Sequence, residues 1–216
     1  MPNVTEFLAL IADDLDRSDM GDTARTSLFR NISFYQPKRF WFNVNVATDY
    51  AVAADANEID LDEAYNNTIT TTIDKPSYFS IDAVEEIVSG DENRLLTECQ
   101  YTEIDPDAIA NTGKPNNYAR LPDKVVLDKY YSSAATYRVK GHKRLNAPTD
   151  DTTDNDWLMH AEELLRTKVL LDIYAFKLHN AEMALLFKKI NLGEMESLIV
   201  DTARFQGTGR ITPTQF

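Results

Sequence analysis

The sequence predicts an α+β, mainly α protein: a helical bundle of two N-terminal and two long C-terminal helices, with an inserted β-rich module and an extended C-terminal tail. Three observations predict it. Both ends of the 216-residue chain carry apolar residues at helical spacing. The middle changes to period-two alternation, with turn residues between the runs. The last eleven residues hold two glycines and a proline, a composition that favours extended chain. The corresponding division is 1–41 and 154–205 for the bundle, 42–153 for the module with its linker, and 206–216 for the tail.

The longest stretch with one periodicity runs from Asp156 to Arg204. Trp157, Leu158, Ala161, Leu164 and Leu165 fall on one side of a helix, with Glu162, Glu163 and Arg166 opposite. Asp154 or Asp156 can cap its start. From Val169 to Phe176 the run is apolar on nearly every side, so it needs cover on nearly every side. It is too short to cross a bilayer, so protein must supply the cover, either the chain's own domain or a neighbouring subunit. Asp172 interrupts this run one turn after Lys168, and a charge on the buried side needs a partner. The two can pair at a spacing of four and reach water, or form an ionic contact at a subunit seam. Lys168, Leu170, Asp172 and Tyr174 are the candidate subunit-interface residues. Asn180 can cap a second helix with Met183, Leu186, Phe187 and Ile190 as its stripe. The stripe changes phase beyond Gly193, which predicts a kink or a change of packing partner there.

From the start of the chain, Asn3 and Glu6 have capping-box spacing before the stripe Val4, Phe7, Leu8, Ile11 and Leu15. Ser18 or Asp19 can cap a second helix carrying Ala24, Leu28, Phe29 and Ile32, which Pro37 ends. Asp14, Asp16 and Ser18 match the first spacings of a calcium loop. Asp19 stands where that loop needs glycine and Arg25 where it needs glutamate, so helix-cap acids explain the run. Phe42, Val44 and Val46 alternate as a strand would. Further strands are expected at 68–73, 78–88, 118–121, 125–127 and 136–142, and a short helical turn at 105–108. Between Thr48 and Asp107 there are sixteen acidic residues against Lys75 and Arg94. Such a surface repels a polyanion. Arg138, Lys140, Lys143 and Arg144 make a small basic cluster beside Tyr130, Tyr131 and Tyr137, suited to a local interface or to solvent more than to nucleic acid.

The net charge of −13 argues against tight DNA binding by the whole chain. The chain shows no signal segment and no long apolar span, which predicts a soluble protein with no membrane contact. The single cysteine, Cys99, has no activating neighbour in sequence. His142, His160 and His179 lack metal-ligand spacing, and neither a phosphate loop nor a nucleophile elbow occurs. No catalytic residue, metal site or cofactor is expected. Deep in the tail, Arg210, Ile211, Pro213 and Phe216 supply one charge, two apolar anchors and a stiff point, with no receiving surface evident in the same chain.

The stretch LIADDLDRSDMGDTARTSLFRNISFY followed by KRFWFNV resembles the opening of the head-to-tail adaptor proteins of tailed bacteriophages. GKPNNYARLPDKVVL, the helix pair beginning DNDWLMHAEELLRTKVLLDIYAFKL and the ending GRITPTQF resemble that family too. The stretch from Ala51 to Thr72 departs from its pattern. The resemblance implies a non-enzymatic structural protein that forms a dodecameric ring beneath the portal protein. It also implies a C-terminal tail docked on the portal, which makes Arg210, Ile211, Pro213 and Phe216 the expected portal contacts. Tail hub, nozzle or fibre proteins would bind below, and DNA would pass through the channel without specific binding. The place would be the head–tail junction of the virion, after assembly in the host cytoplasm. A virion-associated peptidoglycan hydrolase and a tail-completion or neck protein one layer below are the competing readings.

Overall fold

The computed structural model describes residues 3–44, 46–61, 65–66, 72–73, 78–104, 112–148 and 151–205. The chain divides into two compact units. One takes in Met1–Asn43, Asn66–Ile73 and Leu145–Phe216, the other Val44–Tyr65 and Asp74–Arg144.

In the first unit, α1 (Val4–Leu15) starts with the expected capping box: the Asn3 side chain accepts from Glu6 N–H, and Glu6 reaches back to Asn3 N–H. Helix α2 (Gly21–Tyr35) has no side-chain cap at its start, because Met20 stands at the cap position, and Asp19 pairs with Arg17 at 2.7 Å. Neither Ser18 nor Asp19 therefore serves as the cap. After the loop from 151, Asn155 caps the short α3 (Asp156–His160) by accepting from Trp157 N–H. The cap is Asn155, not a neighbouring aspartate. Ala161 leaves helical geometry at φ −132°, and α4 (Glu162–Phe176) begins after it. The expected single long helix is thus two. Asn180 does cap α5 (Ala181–Phe205), accepting from Met183 N–H, and α5 runs unbroken through Gly193. Val4, Phe7, Ile11, Leu28, Ile32, Trp157, Leu165, Val169 and Ile173 close around one core, each essentially without exposure.

The second unit holds two four-stranded sheets. One has the order β1 (Val46–Val52), β10 (Ala135–Lys143), β5 (Tyr78–Ile87), β6 (Arg94–Leu95), with antiparallel neighbours throughout. The other has the order β2 (Glu58–Asp60), β9 (Lys124–Leu127), β8 (Asn117–Arg120), β7 (Thr97–Glu98), where only the β7–β8 pair is parallel. Strands β3 (Tyr65–Asn66) and β4 (Thr72–Ile73) form a separate two-stranded ladder. Val84, Tyr137 and Val139 of the first sheet share a core with Ile59, Tyr118, Val125 and Leu127 of the second. Gly141 sits where the β10–β5 register slips, and a Cβ there would lie 2.1 Å from the Ser80 carbonyl oxygen.

The expectation of a mainly α helical bundle with an inserted module is therefore corrected. The molecule is a mixed α and β structure, with two four-stranded sheets and five α-helices among the described residues. Several strands pair across long sequence separations, such as Asp49 with Arg138, which local periodicity does not display. The strand expected at Phe42, Val44 and Val46 is also corrected: residues 41–44 form a turn and β1 starts at Val46. Asn43 makes the turn, accepting from Phe40 N–H at 2.8 Å and donating to the Lys38 carbonyl at 2.9 Å. Phe42 packs edge-on to Trp157. Its alternation with Asn43 therefore reflects a turn and a core contact. The helical turn expected at 105–108, most of the strand at 68–73 and the tail at 206–216 lie outside the described residues.

Candidate functional site

Helices α4 and α5 form a hairpin whose inner faces are joined by Tyr174 stacked on Phe187, with ring centres 5.5 Å apart. Asn191 of α5, buried, donates to the Leu164 carbonyl at 2.8 Å and to the Thr167 hydroxyl at 3.0 Å, and accepts from the Tyr35 hydroxyl. One polar side chain thus ties α5 to α4 and to α2. Thr202 does the same further along, accepting from Trp41 N–H at 2.8 Å. Trp41 in turn stacks on Phe205.

The four expected interface residues fall in different places. Leu170 is buried in the chain's own core. Asp172 is buried as well, and its carboxylate is fully engaged within the chain. One oxygen accepts from Ser27 at 2.8 Å, Arg30 at 2.6 Å and Asn31 at 2.9 Å; the other accepts from Lys168 at 3.3 Å. The pair at a spacing of four exists, and the charge it holds serves the α2–α4 contact. Burial pushes the Asp172 pKa up, but the hydrogen bonds from Asn31, Ser27 and Arg30 and the Lys168 charge together bring it below the ordinary carboxylate value. Lys168 also lies over the Phe34 ring. Tyr174 is half-buried against Phe187. The four expected portal contacts, Arg210, Ile211, Pro213 and Phe216, lie outside the described residues.

What remains uncovered is mostly on α5. Along its 25 residues only Asn191 and Thr202 are buried. Leu185 is 67% exposed, and Leu186, Ile190, Leu192, Ile199 and Val200 are exposed too. Phe176, the last residue of α4, is 68% exposed. Leu185, Leu192 and Ile199 recur every seven residues, and that spacing was the signal in the sequence for this face. Leu185 borders a groove of about 480 Å³ between the two helices, lined by Leu171 and Ala175 of α4 and by Ala181, Ala184 and Lys188 of α5. Contiguous exposed apolar surface of this kind marks an interaction site.

A second cavity, of about 400 Å³, lies between α2 and α4 and includes two carboxylates, Asp22 and Asp172. With its lone pairs occupied and its pKa lowered, Asp172 has the wrong character for a general acid. Among the described residues there is no cluster of three or more His, Cys, Asp or Glu side chains able to hold a metal ion, and no helix is long and apolar enough to cross a membrane. In the second unit the basic cluster is engaged locally. Arg138 pairs with Asp49 at 2.7 Å and Lys140 with Glu85 at 2.5 Å, Lys143 reaches the Thr48 hydroxyl, and Arg144 lies over the Phe79 ring.

No protein-family model matches the chain, and no curated protein matches it.

Proposed function

We propose that this chain is a structural head-to-tail adaptor of a tailed bacteriophage. It forms a ring beneath the portal, binds the portal through its C-terminal tail and offers a platform for tail attachment around the DNA channel. The observation that carries this reading is α5. A 25-residue helix that buries two polar residues and exposes six large aliphatic ones is built for cover by another chain. Fully burying one such side chain contributes about 1.5–3 kcal/mol, so a stripe of them repeated around a ring is a strong drive to assemble. The resemblance of its motif order to the adaptor family supports that identity for the assembly. The acidic balance of −13 supports a wall past which DNA slides without sticking.

The test is removal of residues 206–216. The shortened chain should keep the thermal stability of the full chain and lose retention on immobilised portal rings. Retention equal to that of the full chain contradicts the tail's role. A cleared zone on a peptidoglycan zymogram would favour the hydrolase reading instead.

A further inference from the structure

We propose that the groove between α4 and α5 receives helix α1 of a second copy of the chain. Leu10 would enter the groove, with Asp13 against Lys188. The inference rests on the ring reading above, and names the contact by which neighbours in that ring meet.

Three observations point to this occupant. The groove floor is made of small residues, Ala175, Ala181 and Ala184, which let a helix approach closely, and no carboxylate lines it. Its one lysine is Lys188, and His179 completes the lining. In a chain of net charge −13 a positive charge is the minority sign, so acidic surface is the natural complement. Helix α1 contains no basic residue. Its outer face presents Glu6, Ala9, Leu10 and Asp13, all exposed, with Leu10 its one exposed large apolar side chain at 37%. Asp13 lies one turn after Leu10 on the same face of α1, so one apolar side chain stands beside a carboxylate as the groove stands beside Lys188. Donor and acceptor surfaces differ, so the contact is head-to-tail and propagates from copy to copy until it closes.

The experiment uses the full chain with Cys99→Ser, carrying Leu10→Cys and Ala184→Cys. It is oxidised alone at high concentration and after mixing with portal rings, then separated without reductant. The inference expects a ladder of cross-linked multimers that needs both cysteines. In parallel, Lys188→Glu should weaken association at least tenfold, and adding Asp13→Lys should restore it. Both charge changes are on exposed positions, which keeps the test valid if the cysteine pair disturbs folding. Assembly on portals with neither a ladder nor charge rescue overturns the α1 contact and leaves the ring reading standing. Absence of any assembly by the unsubstituted chain, alone or on portals, overturns both.

Discussion

Asp172 shows how a charge stays inside a helical core. Four donors from α2 and α4 surround it, so removing the carboxylate leaves the buried Ser27 hydroxyl without its acceptor, Asn31 with only the Ser27 oxygen to donate to, and Lys168 without its partner. Asp172→Ala should therefore cost about 2–4 kcal/mol in urea unfolding at neutral pH. The folded pKa is lowered from an ordinary value of 3.8. The contribution is thus complete above that value and is lost as pH falls through the folded pKa. The gap between the unsubstituted protein and Asp172→Ala should narrow as the titration goes below about pH 4. A gap that is constant with pH would show that packing alone sets the cost. Two glycines give a second contrast at this scale. An alanine Cβ at Gly141 would meet the Ser80 carbonyl at 2.1 Å, so Gly141→Ala forces the β10–β5 bulge apart. Gly193 has nothing within 4 Å and lies inside α5. Thermal unfolding should show Gly141→Ala destabilised by roughly 2 kcal/mol or more, and Gly193→Ala stabilised by about 0.5–1 kcal/mol.

At the scale of elements, the apolar run Val169–Phe176 needs cover, from its own domain or from a neighbour, and for most of the run the chain's own core supplies it. Helices α2 and α5 cover Val169, Leu170 and Ile173 within the chain. Helix α5 is the one left open. Its apolar residues are interleaved with Lys188, Lys189, Glu194 and Glu196, which makes it read as an ordinary surface helix. Periodicity reports how many sides of a helix are apolar; which neighbour arrives is decided by tertiary packing. Capping chemistry was legible at Asn3 and Asn180 and one residue out at α3, where Asn155 is the cap. It was not legible at α2, where Met20 stands at the cap position and Asp19 pairs with Arg17. Leu192→Glu tests the open face. Its side chain is half exposed in the single chain, so thermal stability should move by less than about 0.5 kcal/mol. Light scattering on portal-mixed samples should nonetheless show loss of assembly. Assembly equal to that of the unsubstituted protein would place the contact elsewhere.

At the scale of the molecule, four strands of the second unit, β5, β8, β9 and β10, were readable one by one, since Tyr78–Ile87, Lys124–Leu127 and Ala135–Lys143 each alternate or run apolar. Strand β1 was misplaced, and the short β2, β6 and β7 carry too few residues to show a period. The partnership of the strands was not readable. The pairing of β1 with β10 joins residues about ninety positions apart, and the division into two sheets depends on those pairings rather than on any local pattern. That is why the mixed α and β architecture emerged only from the structure. The site was legible to the extent that it is a surface: the absence of catalytic motifs directs attention to exposed apolar helix. On the function proposed above, this surface builds a ring on a portal. Negative-stain electron microscopy of the purified chain mixed with portal rings tests it most directly. The expected result is an added ring of density on one face of each portal, missing when Leu192→Glu replaces the unsubstituted chain. Portals that stay bare in the presence of excess, folded protein would contradict it.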